Sequence, residues 1–376
     1  MSDEDDRHGL DGFLVNRARR KQAAQQQQQT TLAHDVKRTA IFKEAMPYRL
    51  WLCAAWSPDG ARVAVGGRDD AGKKGTLSIW NAQTGHHESH SVRHLTHDLT
   101  GQVISLSWSP DGTRLAAVET GQQSGQTVLT VRSMTEAKRP ISLPGAEAAG
   151  VTQVAWSPDG SLLAATARGA RETLLIDPGT GQVRHTLEGL SSPVAWEPGG
   201  YRLAGPDGAH VAIFDARTGQ RERTISGQSY KATAVAWATR GKLLAVSDGE
   251  NIRVLDADTG ERVSDLPWAT AEGDRSDDPS VHYLAWLDSG RYLLEFRKHG
   301  AWSRSDASVL VGSMSVRDVI TGWRYWCFFH ETLHGRQRPP AEFLVPPQGG
   351  RRFLVMNDHL PPHQWEFQGD LQGFEP

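Results

Sequence analysis

Apolar residues along this chain fall in short alternating runs rather than at helical spacing. Between Ser192 and Ile225 four such runs follow one another, Ser192–Glu197, Tyr201–Ala204, Val211–Asp215 and Arg221–Ile225. Each is short and bounded by Gly, Pro or Asp, which predicts four antiparallel strands, a to d, joined by turns. The same alternation leads into six tryptophans: Trp56, Trp108, Trp156, Trp196, Trp237 and Trp286. The residue before each is small (Ala55, Ser107, Ala155, Ala195, Ala236, Ala285) and the one before that is apolar (Ala54, Leu106, Val154, Val194, Val235, Leu284). A period of two puts each Trp and its apolar neighbour on one strand face and the small residue on the other.

These runs repeat. The tryptophans are spaced by 52, 48, 40, 41 and 49 residues. Trp56-Ser57-Pro58-Asp59-Gly60 returns at Trp108–Gly112 and Trp156–Gly160, then decays to Trp196-Glu197-Pro198-Gly199-Gly200, Trp237–Gly241 and Trp286–Gly290. A second motif keeps phase: Asn81-x-x-Thr84-Gly85, Asp177-x-x-Thr180-Gly181, Asp215-x-x-Thr218-Gly219, Asp256-x-x-Thr259-Gly260 and Asp318-x-x-Thr321-Gly322. Pro pre-sets the first corner of a tight turn, Asp bonds its own backbone, and Gly accepts positive φ before the return strand. Units of 40–50 residues with four strands each predict an all-β fold, a β-propeller. Its innermost strands, squeezed where blades converge, need the small residue before each Trp.

The Asp-x-x-Thr-Gly turns and four-strand units resemble WD-repeat propellers, and the Trp-Ser-Pro-Asp-Gly turns resemble repeats of TolB-like propellers. The resemblance runs from about Val36 to Gly369. It implies the fold, and a role in holding other proteins, more than any activity. The Gly-His dipeptide of eukaryotic WD repeats is missing from every unit and only Trp80-Asn81 approaches a Trp-Asp ending. The His-Asp network of those repeats is therefore not carried over.

A last blade lacks its Trp. Phe343–Gly350 reads as strand a and its turn, Arg352–Met356 as b and Gln364–Phe367 as c, with no strand d behind them. Val36–Lys43 precedes the first strand a and supplies the missing outer strand. Pairing the terminal segments closes the ring and removes an exposed edge. Seven blades are expected, with six or eight as alternatives, over a domain of residues 36–376. Residues 1–35 form a separate tail: an acidic start, a basic cluster (Arg17, Arg19, Arg20, Lys21) and the run Gln25–Gln29. It reads as disordered or partly helical; a helix from Asp11 to about Gln29, anchored by Phe13, Leu14 and Val15, would dock on a partner.

A net charge of −3 excludes a global pull toward nucleic acid or anionic lipid. No apolar run is long enough to span a bilayer, and the acidic N-terminus is not a secretory signal. Two cysteines, Cys53 and Cys327, make no disulfide framework, which points to the cytoplasm. Arg outnumbers Lys 32 to 9, a bias associated with GC-rich bacterial genomes.

Catalytic signals are weak. His330-Glu331-Thr332-Leu333-His334 matches a zinc-peptidase pattern, but that motif needs a helix, and here it follows the outer-strand run Trp323–Phe329 and precedes Gly335 and Pro339-Pro340. His86, His87, His90, His94 and His97 cluster without a fixed third ligand and read as a solvated outer strand. There is no Gly-x-Ser-x-Gly elbow and no phosphate loop. No cofactor and no metal are implied. The expectation is a non-catalytic interaction scaffold, with an enzyme or small-ligand sensor in the central channel as the alternative. Long connections at Arg68–Gly75, Glu119–Gln126, Trp268–Ser280, Arg297–Val311 and His330–Pro340 mark one rim as the candidate binding surface. Its candidate anchors are Trp268, Arg297, Trp302, Arg304, Arg336 and Arg338.

Overall fold

The computed structural model describes residues 36–41, 49–69, 74–88, 99, 101–120, 126–136, 141–142, 150–167, 169–226, 232–239, 242–249, 251–267, 281–287, 290–298, 312–321, 324–328, 342–344, 352–356 and 363–367. Every regular element among them is a strand, in seven antiparallel sheets. β1 (Val36–Ile41) comes first in the chain. The first sheet holds β2 (Arg49–Trp56), β3 (Arg62–Asp69) and β4 (Gly75–Asn81). The second holds β5 (Val103–Trp108), β6 (Arg114–Thr120), β7 (Thr127–Ser133) and β8 (Ile141–Ser142). The third holds β9 (Val151–Trp156), β10 (Leu163–Ala167), β11 (Glu172–Ile176) and β12 (Val183–Glu188). The fourth holds β13 (Ala195–Trp196), β14 (Arg202–Asp207), β15 (His210–Asp215) and β16 (Gln220–Ile225). The fifth holds β17 (Ala234–Trp237), β18 (Leu243–Ser247), β19 (Ile252–Asp256) and β20 (Arg262–Leu266). The sixth holds β21 (Val281–Trp286), β22 (Tyr292–Lys298), β23 (Gly312–Asp318) and β24 (Arg324–Phe328). The seventh joins β25 (Glu342–Leu344), β26 (Arg352–Met356) and β27 (His363–Phe367) to β1, which pairs with β27 from Val36↔Phe367 to Ile41↔His363.

The core lies between sheets. Cys53, Ala64, Leu77 and Ile79 of the first sheet pack on Val103, Leu106, Trp108 and Leu115 of the second. Ala116 and Val131 of the second meet Val154, Trp156 and Leu163 of the third. Leu175 and Leu187 of the third meet Leu203 and Phe214 of the fourth. Ile213 meets Trp237 and Leu244, and Ala245 and Val254 meet Trp286 and Leu293. In the first six sheets the described residues of the middle strands are thus largely buried on both faces, as in LAATA of β10, where all five residues are inside. Each fully buried Leu, Ile or Val contributes about 1.5–3 kcal/mol. β25 runs close to β2 on one side and β21 on the other. Small sheets stacked face to face in chain order are a propeller-like architecture.

The fourth sheet departs from the expected strand bounds. Its innermost strand is only Ala195–Trp196 rather than Ser192–Glu197, because Pro193 has no N–H for the ladder. Its two middle strands are longer, ending at Asp207 and starting at His210, since Gly208 supplies a tight turn with φ 61°. In the first sheet His87 makes an isolated bridge to Trp80. His90, His94 and His97 lie outside the described residues, as do residues 1–35 and His330–His334.

Candidate interaction sites

The repeat's turns hold its acids in place. In the first turn Ser57 N donates to Arg62 O and Gly60 N to Ser57 O, both at 2.9 Å. The buried Ser57 hydroxyl donates to Asp59 Oδ1 and accepts from Arg62 N at 2.9 Å. Asp59 Oδ1 also accepts from Ala61 N at 3.0 Å. Ser109 with Asp111, and Ser157 with Asp159, repeat this geometry. The hydroxyl donors hold the Asp59 and Asp111 carboxyls below the usual carboxylate range; at Asp159 burial opposes this, and Ser157 and Ser161 outweigh it. Sequence reasoning credited the Pro, Asp and Gly of this turn and missed the Ser, although it stands in all three intact copies.

The second motif is a repeated Asx-turn. Asp177 Oδ1 accepts from Gly179 N at 2.9 Å and Thr180 N at 3.0 Å, and Asn81, Asp215, Asp256 and Asp318 do the same two and three residues on. Arg184 adds an ion pair at 2.7 Å, and together these hold Asp177 down at about 2.

The tryptophans link neighbours. Trp108 Nε1 donates to Ala55 O, Trp196 to Ala155 O, Trp237 to Ala195 O and Trp286 to Ala236 O, at 2.9–3.2 Å. Each acceptor is a small residue before a Trp or its counterpart in the preceding sheet. Trp56, Trp108, Trp156, Trp237 and Trp286 are buried and Trp196 is half-buried. Over the next sheet's Trp lies an arginine: Arg114 over Trp156 at 4.6 Å, Arg202 over Trp237 at 5.1 Å and Arg352 over Trp56 at 5.8 Å.

The surroundings of these arginines differ. Arg202 pairs with Glu197 at 2.5 Å and with Asp258 at 2.6 Å, and Lys242 also pairs with Asp258. That junction is closed by an acid between two bases. At Trp56 the corresponding turn residues are Gln83 in place of Asp258 and Ala61 in place of Lys242. Both pairs hold the same backbone bond, Ala82 N to Ala61 O and Ala257 N to Lys242 O, at 2.8 Å. The result is a groove of about 510 Å³ lined by Asp59, Ala61, Asn81, Gln83, Arg352 and Gln364. Its volume is that of a ligand pocket, about 300–1,000 Å³. Among the described residues no ion pair engages Arg352. The sequence did not mark this groove: of the matched turn positions 83, 179, 217, 258 and 320 only 258 holds an acid, so Gln83 does not stand out among the repeats.

Arg253 and Asp248, both buried, pair at 2.9 Å, and two further buried ion pairs face the preceding sheet. Arg132 meets Glu119 at 2.5 Å with both side chains at most 1% exposed, and Thr130 donates to the same carboxylate at 3.0 Å. Arg317 meets Glu295 at 3.3 Å and donates to Pro267 O of the fifth sheet's end at 3.0 Å.

Of the expected rim anchors, Arg297 stands in β22 opposite Ser313 and Val281, with its side chain outside the described residues. Trp268, Trp302, Arg304, Arg336 and Arg338 lie wholly outside them. Among the described residues no three metal-binding side chains converge, and no helix is long and apolar enough to cross a membrane.

No curated protein matches the chain. Residues 138–170 match the family model described as WD domain, G-beta repeat. That stretch contains β8, β9 and β10 with the Trp156 turn between them. WD repeats in general mediate protein–protein interaction, and at the level of this one repeat the chain carries a WD-type unit.

Proposed function

We propose that the chain is a closed, seven-bladed propeller that holds a protein partner without catalysing a reaction. The observation that supports closure is Arg352 over Trp56. It repeats, between the seventh and first sheets, the contact that Arg114 and Arg202 make between consecutive sheets. With β1 paired to β27, the two ends of the domain share one blade.

The binding reading is supported by the WD-type unit and by the roles of the repeat's acids. Asp59, Asp111, Asp159, Asp177 and Asp215 are engaged by their own turns. The buried Glu119 and Glu295 are engaged by Arg132 and Arg317. In this reading the d–a and b–c loops share one rim, and the partner surface is made of Trp268, Trp302, Arg304, Arg336 and Arg338 from those loops together with Arg297 near the end of β22. Cys53 is buried with its thiol on Val103 O at 3.5 Å, and a buried thiol with no disulfide framework around it supports a cytoplasmic setting.

Purification of the tagged full-length chain from its native host should return a stoichiometric protein partner. Trp302→Ala with Arg304→Ala should lower that recovery and leave the melting temperature unchanged. Undiminished recovery would refute the rim assignment. A tightly bound metal or small molecule in place of a protein would refute the scaffold reading and favour a site in the central channel.

A further inference from the structure

We infer that the groove between the seventh and first sheets binds an acidic peptide segment of a partner protein. This rests on the reading of the chain as an interaction module and assigns it a second surface. The groove is lined by the turns Asp59–Ala61 and Asn81–Gln83, which lie on the face opposite the loop rim.

The chemistry comes from the comparison of two junctions. In the fourth and fifth sheets Arg202 lies over Trp237 and is answered by the Asp258 carboxylate, with Lys242 behind it. In the seventh and first sheets Arg352 lies over Trp56, and the acid's place is taken by an amide and the lysine's by a methyl. The groove's own carboxylate, Asp59, is held by Ser57 and Ala61 N, and among the described residues no acid pairs with Arg352. A carboxylate brought by another chain completes the same pair in a planar, two-pronged geometry that arginine favours.

The remaining walls read a peptide backbone. Asn81 Oδ1 is occupied by Gln83 N and Thr84 N, both at 3.0 Å, which leaves its Nδ2 as the group that can donate to a peptide carbonyl. The Gln83 amide at the turn tip is exposed and offers both a donor and an acceptor. Asp59 is charged at neutral pH, and hydrogen bonds from Ser57 and Ala61 N hold its carboxyl below the usual range. Its exposed oxygen accepts a peptide N–H and opposes a ligand that is anionic throughout. The groove therefore favours a carboxylate carried on a backbone over a free small anion.

The probe is a short labelled glycine–serine peptide with one central glutamate, with a twin carrying glutamine in its place as the control. Binding to the full chain is read by fluorescence anisotropy. The glutamate peptide should bind at least about tenfold more tightly than its twin, the scale of one charge-assisted pair. Arg352→Gln should lose that preference, and Arg352→Lys should keep part of it. Gln83→Asp, which restores the acid found at position 258, should also lose it while raising the melting temperature. Arg114→Gln removes an arginine from the same kind of Trp contact and should leave peptide binding intact, which separates recognition from blade packing.

Equal binding of the two peptides, or retention of the preference in folded Arg352→Gln and Gln83→Asp, would overturn the proposal. Displacement of the peptide by an equal concentration of inorganic phosphate would assign the groove to a small anion instead. Binding seen only after Asp3, Glu4, Asp5 and Asp6 are changed to amides would give it to the chain's own N-terminal acids. Either result overturns the partner assignment. Peptide binding and rim-dependent recovery are separate readouts, so either reading can fail alone.

Discussion

The indole Nε1 of Trp108 donates a 3.0 Å hydrogen bond to the carbonyl oxygen of Ala55 in the neighbouring sheet. The pair explains two features of the repeat at once. Trp108 turns its buried ring toward the preceding sheet, where it packs with Cys53, Ala64 and Ile79. Ala55, on the face turned toward Trp108, is small enough to let the indole reach the backbone. Trp156, buried like Trp108, has no partner for its Nε1 among the described residues.

Phenylalanine therefore separates the ring from the hydrogen bond. Trp108→Phe leaves the Ala55 carbonyl without this donor and should cost about 1 kcal/mol or more beyond Trp156→Phe. Trp156→Ala removes the whole buried ring and should cost about 3–5 kcal/mol. Denaturant unfolding measures all three. Equal cost for the two phenylalanine variants would mean that the inter-sheet hydrogen bond contributes nothing to stability.

Ser109 is fully buried and closes its turn through Asp111 Oδ1 and the backbone of Arg114. Ser109→Ala leaves the Arg114 N–H without its acceptor, so a loss of about 1–3 kcal/mol is expected. Ser109→Thr keeps the hydroxyl and serves as the comparison. A neutral Ser109→Ala in thermal unfolding would show that Pro and Gly alone set the turn.

Arg132→Met strands the Glu119 carboxylate in a buried site, and the expected loss is about 3–5 kcal/mol. The double variant with Glu119→Met removes the stranded charge and should recover much of that loss. A double-mutant cycle measures the coupling. Simple additivity of the two losses would show that the pair is not coupled.

Acid should unfold the protein through its turns. Asp59, Asp111, Asp177, Asp215 and Asp318 all titrate below their ordinary value of 3.8, Asp177 at about 2. A depressed folded-state value means that their stabilisation is complete above 3.8 and is lost as pH falls toward 2. The melting temperature should be level near neutrality and drop over that window, and Asp111→Asn should shallow the drop. An unchanged slope in Asp111→Asn would place the acid sensitivity elsewhere.

Local chemistry determined much of this protein. Pro58, Asp59 and Gly60 specify a turn whatever surrounds them, because φ, side-chain reach and the left-handed region are properties of those residues. The alternation ahead of Trp56, Trp108 and Trp156 specifies strands and their buried faces for the same reason, and the repeat period turns strands into a stack of small sheets. What a side chain meets across a junction was decided only by the tertiary structure. Arg114, Arg202 and Arg352 look alike in the chain, yet Arg202 is answered by Asp258, 56 residues away, while Arg352 borders an open groove with Gln83 and Ala61. Glu119 and Arg132 read as ordinary surface residues until folding sets them 2.5 Å apart in the core. Pairing of that kind depends on which blade stacks on which and on what stands across the gap, and a local pattern holds no information about either.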